Sequence, residues 1–154
     1  NAKTIEPDEN YILPIGKACK VIEAESNFEN SGESVVIITY GRGVYWSLEA
    51  AKYFAGKIEI LDLRTLSPLD EEQILKSVKK HGRSLIVTEE PSSASFSLGI
   101  AGFIQENCFE FLDAPVKIVG SENTPAIPLN ENLEYTYLPN ADKVKAALSS
   151  LLAY

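Results

Sequence analysis

The chain has 154 residues, of which 45% are apolar and 23% charged, a balance that fits one ordinary globular domain and excludes a disordered segment. Its 14 Lys and Arg against 22 Asp and Glu leave a net charge of −8. That excludes nucleic acid or an anionic membrane surface as the main partner, because both need clustered cations, and leaves a basic protein partner open.

Methionine is absent, so the chain is expected to be a processed protein or an excised piece, with Asn1-Ala2 a cloning remnant. Residues 1–10 read as a polar lead-in, and residues 11–154 as one domain. Tyr11 to Gly16 is apolar but broken by Pro14 and Gly16, which predicts an extended segment. Lys17 to Glu23 has room for a short strand, and Glu25 to Glu33 is a turn-rich acidic loop. Val35–Thr39 is a β-branched run, read as a fully buried parallel strand. Gly43 to Ala55 follows as a helix with Val44, Leu48, Ala51 and Ala55 on its inner face. Ile58–Leu63 is the next strand. Asp70 to His81 is a helix with Ile74, Leu75 and Val78 inward, Ser67 as N-cap and Pro68 in its first turn. Ser84–Thr88 is a strand, and Phe96, Ile100, Phe103, Ile104 and Cys108 space out a third helix. Val116–Val119 is the last strand. Ser121 to Pro139, with three prolines, reads as a long connection, and Asp142 to Leu152 as a closing helix on Val144, Leu148 and Leu151. Repeated strand–helix alternation predicts a three-layer α/β fold, a mostly parallel five-stranded sheet with helices on both faces.

No apolar run approaches the ~20 residues of a membrane span. Cys19 and Cys108, 89 positions apart, lack zinc-site spacing and read as buried, reduced thiols. Gly41-Arg42-Gly43 opens a helix after a strand, and Asp62 follows 21 residues later, as in a dinucleotide fingerprint. Trp46 stands at the third glycine position and spoils the match, which leaves a tight turn needing positive φ. Glu89-Glu90 are adjacent carboxylates at a strand end. Neighbours on a strand point to opposite faces, so one is expected buried and hydrogen-bonded and the other solvated. His81, beside Gly82, reads as a surface cap at a helix C-terminus. One histidine and no serine elbow assemble no triad. Arg64 is a candidate anion or interdomain contact, together with Glu89.

The order and spacing of several motifs are specific as a set. They include Leu13-Pro14-Ile15-Gly16-Lys17-Ala18, Thr39-Tyr40-Gly41, Asp62-Leu63-Arg64-Thr65-Leu66-Ser67-Pro68-Leu69-Asp70, Phe111-Leu112-Asp113-Ala114-Pro115-Val116 and Leu138-Pro139-Asn140. On these the chain resembles the C-terminal domain of the beta subunit of thiamine-diphosphate-dependent 2-oxo acid dehydrogenases of the pyruvate and branched-chain types, a relative of the transketolase C-terminal domain. The resemblance implies a domain with no catalytic, cofactor-binding or metal residues of its own. Thiamine diphosphate and Mg²⁺ belong to the pyrimidine- and pyrophosphate-binding domains of the parent enzyme, which oxidatively decarboxylates a 2-oxo acid and acylates lipoyl groups. It further implies a beta–beta dimer in the parent and a cytoplasmic location, or the mitochondrial matrix in a eukaryote. The implied docking partner is the basic peripheral subunit-binding domain of a dihydrolipoyl acyltransferase, met at positions corresponding to Asp113 and Tyr154. The chain departs from the family pattern at Ala94-Ser95 and at Gly99, where a glutamate is usual in the first turn of the third helix. Two other readings stand beside this one. One is a regulatory small-anion or nucleotide-binding domain, and the other is the equivalent domain of a transketolase or deoxyxylulose-phosphate synthase.

Overall fold

The most apolar run of the chain sits at the centre of the molecule. In the computed structural model, which describes residues 8–28 and 31–154, Val35–Thr39 forms strand β2, and all five of its residues are buried. Residues 1–7 and 29–30, parts of the lead-in and of the acidic loop, lie outside the described residues. The other strands are β1 (Cys19–Ile22), β3 (Ile58–Asp62), β4 (Ser84–Pro91) and β5 (Lys117–Ser121), in the sheet order β1-β3-β2-β4-β5. β2 pairs in parallel with β3 on one side and β4 on the other, and β5 extends the parallel set beside β4. β1 is antiparallel to β3 at the edge.

Among the described residues, five α-helices connect and cover the strands: α1 (Gly43–Ala51), α2 (Glu71–His81), α3 (Phe96–Cys108), α4 (Glu131–Tyr137) and α5 (Ala141–Leu152). A parallel sheet buries both faces, so each face needs its own apolar layer. α1 and α5 cover Val35, Ile37, Ile60, Leu85 and Val87. α2 and α3 cover Val36, Ile38, Leu61 and Ile86 on the other side. The chain reverses direction across the sheet after β3 and changes face at the same step, which keeps one hand for all three crossovers. The three-layer, mostly parallel five-stranded architecture is the one the alternation predicts.

Several local readings are corrected. The stretch from Ser121 to Pro139 is no plain connection, because α4 forms inside it, capped by Asn130, whose Oδ1 accepts from the amides of Asn132 and Leu133. α1 ends at Ala51, since Tyr53 and Phe54 bond back only three residues and Gly56 turns the chain with φ of 73°. Its buried face is Gly43, Ser47, Ala50 and Ala51, small residues in place of the larger set expected. The N-cap of α2 is Asp70, which accepts from the Gln73 amide, while the Ser67–Pro68 peptide is cis. Cys19 is only half-buried because β1 is an edge strand, and neither it nor the buried Cys108 is in a disulfide.

The turn from β2 into α1 depends on Gly43. A Cβ there would overlap Thr39 Oγ1 and lie 2.9 Å from the Val87 carbonyl oxygen. Gly43→Ala is therefore expected to destabilise the fold by about 1–3 kcal/mol through overpacking. Gly102→Ala on α3, where an added Cβ meets nothing within 4 Å, is expected to be stabilising by roughly 0.5–1 kcal/mol through lost backbone entropy. Chemical denaturation of the two variants reads both values.

Candidate functional site

A parallel sheet with both faces covered leaves its strand ends for chemistry. At the carboxyl ends, the loops after β2 and β4 leave toward opposite faces, the place where open α/β sheets receive ligands. Here side chains plug that crevice. Tyr40 donates its hydroxyl to Glu90 Oε1 at 2.5 Å and accepts from Thr88 Oγ1 at 2.9 Å. Glu90 also accepts from the amides of Phe96 and Ser97, the first turn of α3. An acid from β4 thus serves the N-terminus of α3. Burial, reinforced by the neighbouring Glu90, pushes the Tyr40 phenol up to about 12. Burial also works against the Glu90 charge, but the hydrogen bonds from Tyr40 and the two amides outweigh it and lower its pKa. Glu89 is exposed and solvated as expected, whereas its hydrogen-bonded neighbour Glu90 is only half-buried and not buried as expected, because it lies at the open end of β4.

Arg64 lies two residues past β3, exposed, with φ of 58° and its amide bonded to Asp62 Oδ1. The acid of the incomplete dinucleotide pattern is thereby used in a turn. β2 separates the strands that carry Arg64 and Glu89, and the two form no ion pair.

At the amino ends, Asp113 is exposed just before β5. Its amide donates to the Gly82 carbonyl at 2.7 Å, and its carboxylate lies where a Cβ on Gly82 would sit. Gly82, with φ of 67°, is the left-handed C-cap of α2, as expected. A cavity of about 200 Å³ beside Asp113 is also lined by Lys79, Lys80 and Phe111. Tyr154 stands at the same edge, its ring 5.8 Å from Lys117 Nζ at the start of β5. Fold and sequence position bring Asp113 and Tyr154 to one edge of the sheet, away from Arg64 and Glu89.

His81 is corrected most sharply. It is buried, with Nδ1 2.7 Å from Ser34 Oγ and Nε2 3.2 Å from Glu59 Oε2. Glu59 is fully buried in β3 and also takes hydrogen bonds from Ser77 Oγ and Lys80 Nζ, with Lys20 Nζ at 3.8 Å. Burial opposes the Glu59 charge, yet the His81 and Ser77 hydrogen bonds and the charges of His81 and Lys20 lower its pKa to about 2. Sequence reading missed this cluster. Its one signal was a glutamate inside the apolar run Ile58-Glu59-Ile60-Leu61. Among the described residues, no group of three or more His, Cys, Asp or Glu comes together as a metal ion needs, and no helix is long and apolar enough to cross a membrane.

Comparison with known proteins is consistent with this geometry. The transketolase C-terminal domain profile matches residues 24–144, and the chain belongs to that family. It is 35% identical over 151 residues to the 2-oxoisovalerate dehydrogenase subunit beta of Bacillus subtilis, covering 96% of this chain and 44% of that protein. It is 36% identical over 155 residues to the pyruvate dehydrogenase E1 component subunit beta of Rickettsia conorii, covering 99% and 43%. A split-gene transketolase, solved as an inactive beta4 tetramer, superposes with a TM-score of 0.75 at 21% identity over 95% of this chain and 45% of that one. The chain thus spans less than half the length of the curated relatives it matches, over what the profile describes as a C-terminal domain.

The depressed Glu59 pKa fixes a pH dependence. The unfolded glutamate takes up its proton near 4.5, whereas the folded one holds out to about 2. Below the upper value the unfolded chain binds more protons, so stability is present above about pH 5 and falls as pH drops toward 2. The loss from this group is on the order of 3 kcal/mol. Urea unfolding at a series of pH values is expected to show a shallower acid slope for Glu59→Gln than for the wild type.

Proposed function

We propose that this chain is the assembly and docking domain of the dehydrogenase component of a 2-oxo acid dehydrogenase complex. Its docking face is the amino-terminal edge of the sheet around Asp113 and Tyr154. The partner is the basic peripheral subunit-binding domain of a dihydrolipoyl acyltransferase. The observation that carries the reading is the setting of Asp113: an exposed carboxylate lying over Gly82, on a residue whose amide is bonded to the Gly82 carbonyl, at a rim built by the ends of α2 and α3. A carboxylate carried on an anchored backbone loses less freedom on pairing with a partner cation than one on a mobile loop. Similarity to beta subunits of 2-oxoisovalerate and pyruvate dehydrogenases supports the class of the parent enzyme.

In this reading thiamine diphosphate and Mg²⁺ serve the parent, which supplies their decarboxylation chemistry from other domains. Asp113 orients a partner cation, Tyr154 borders the same face, and Arg64 and Glu89 at the far edge meet neighbouring domains of the parent. The chain alone is expected to give no decarboxylase turnover. Calorimetric titration with a peripheral subunit-binding domain is expected to show binding that weakens as salt is raised. Asp113→Ala should raise Kd about tenfold, or ~1.4 kcal/mol. Equal binding by the variant would remove Asp113 from the interface. Absence of binding by the wild type would remove the docking reading itself.

A further inference from the structure

One open cavity gathers three charged side chains that make no ion pair among the described residues. It lies at the carboxyl edge, between the start of α1 and the α4–α5 junction, with a volume of about 330 Å³. Arg42, Trp46, Glu131, Glu134, Tyr135 and Leu138 contribute to its walls. Arg42 follows β2 beside the point where the strand order reverses, and its guanidinium carbon lies 5.5 Å from the Trp46 ring centroid. Arg42 makes no ion pair among the described residues, although both glutamates share its cavity, and neither glutamate side chain has a hydrogen bond or ion pair.

Opposite charges held apart across a hollow select their occupant. A simple anion satisfies Arg42 but faces two carboxylates, and a simple cation has the converse problem. A molecule carrying both charges satisfies both walls. The indole of Trp46 and the side chain of Leu138 offer apolar surface between them. The volume falls in the ~300–1,000 Å³ range of small-molecule sites. The far wall is fixed as well: Asn140, which lines the cavity, caps α5 through the Lys143 amide and donates to the Tyr135 carbonyl. We propose that this cavity binds a small zwitterion of the α-amino-acid class, with its carboxylate on Arg42, its ammonium on Glu134 and an apolar side chain against Trp46 and Leu138.

The site lies at the opposite end of the sheet from Asp113, so its test stands apart from the docking reading. Trp46 is the single tryptophan of the chain and a built-in reporter. Its fluorescence would be followed during titration of the intact chain with L-leucine, 4-methylpentanoate and 3-methylbutylamine, which carry both charges, the negative one and the positive one. The expected result is a saturable change with leucine and a Kd at least about tenfold lower than for either singly charged analogue. Arg42→Met and Glu134→Gln should each raise the leucine Kd about tenfold and erase the discrimination. Absence of a saturable change, or equal responses to the three compounds, overturns the proposal. That comparison uses only the wild type, so it decides the matter even where a variant does not fold.

Discussion

Everything in this fold follows from β2 being hydrogen-bonded in parallel on both sides. A strand so placed exposes neither edge nor face, and each of its five residues is buried. Parallel neighbours cannot be joined by tight turns, so each connection becomes a helix that crosses a face. With both faces covered, only the strand ends remain accessible. The constraint that makes the domain stable therefore also makes it two-ended. The carboxyl end receives the starts of α1, α3 and α5. The amino end receives the helix C-termini, Asp113 and Tyr154. The Tyr40–Glu90 pair closes the crevice at the first of these ends. The cavity at Arg42 lies to one side of it, where α4 walls off a second space.

Charge inside the core is handled in two ways. Glu59 is surrounded by four side chains from two elements, so its burial is offset by His81, Ser77 and Lys80 of α2 and Lys20 of β1. Removing one partner of such a set strands a buried charge, which is costlier than never having buried it. Arg83 is the contrasting case. It is 8% exposed, and among the described residues its Nε and Nη1 have no hydrogen-bond partner. By strand alternation it shares the face of Leu85 and Val87, which α1 and α5 cover. Helices that return across a parallel sheet end at this edge, and the negative ends of their dipoles favour a cation there.

Legibility in the sequence followed the range of the interactions. The strands and the face of α5, Val144, Leu148 and Leu151, could be read because apolar period and burial coincide there. α1 was misread because its inner face is chosen by close approach to the sheet, which favours Gly43, Ser47 and Ala50 over larger apolar residues. α4 was hidden by prolines on both sides, although Asn130 followed by Glu131 and Glu134 is a helix start. His81 read as a surface cap because only its sequence neighbours were visible. Its partners Glu59 and Ser34 come from β3 and the segment before β2, and nothing local announces them. Asp113 and Tyr154 entered through family resemblance alone. No rule of spacing singles out one aspartate among 22 acidic residues.

The net charge of −8 pointed to a basic partner, but the amino edge is not uniformly acidic. Lys79 and Lys80 line the cavity beside Asp113, and Lys117 lies beside Tyr154. At physiological ionic strength, exposed charges beyond roughly 8 Å are largely screened. The total charge then does little to choose the proposed docking point, and the orientation of the Asp113 carboxylate does more. That orientation depends on Gly82, because any side chain at this position would occupy the space of the Asp113 carboxylate. The same glycine ends α2 in the left-handed region, directly after His81. One residue without a side chain thus terminates the helix that closes over Glu59 and sets the acid on the surface. The buried charge cluster and the proposed docking point are, in this chain, built on the same turn.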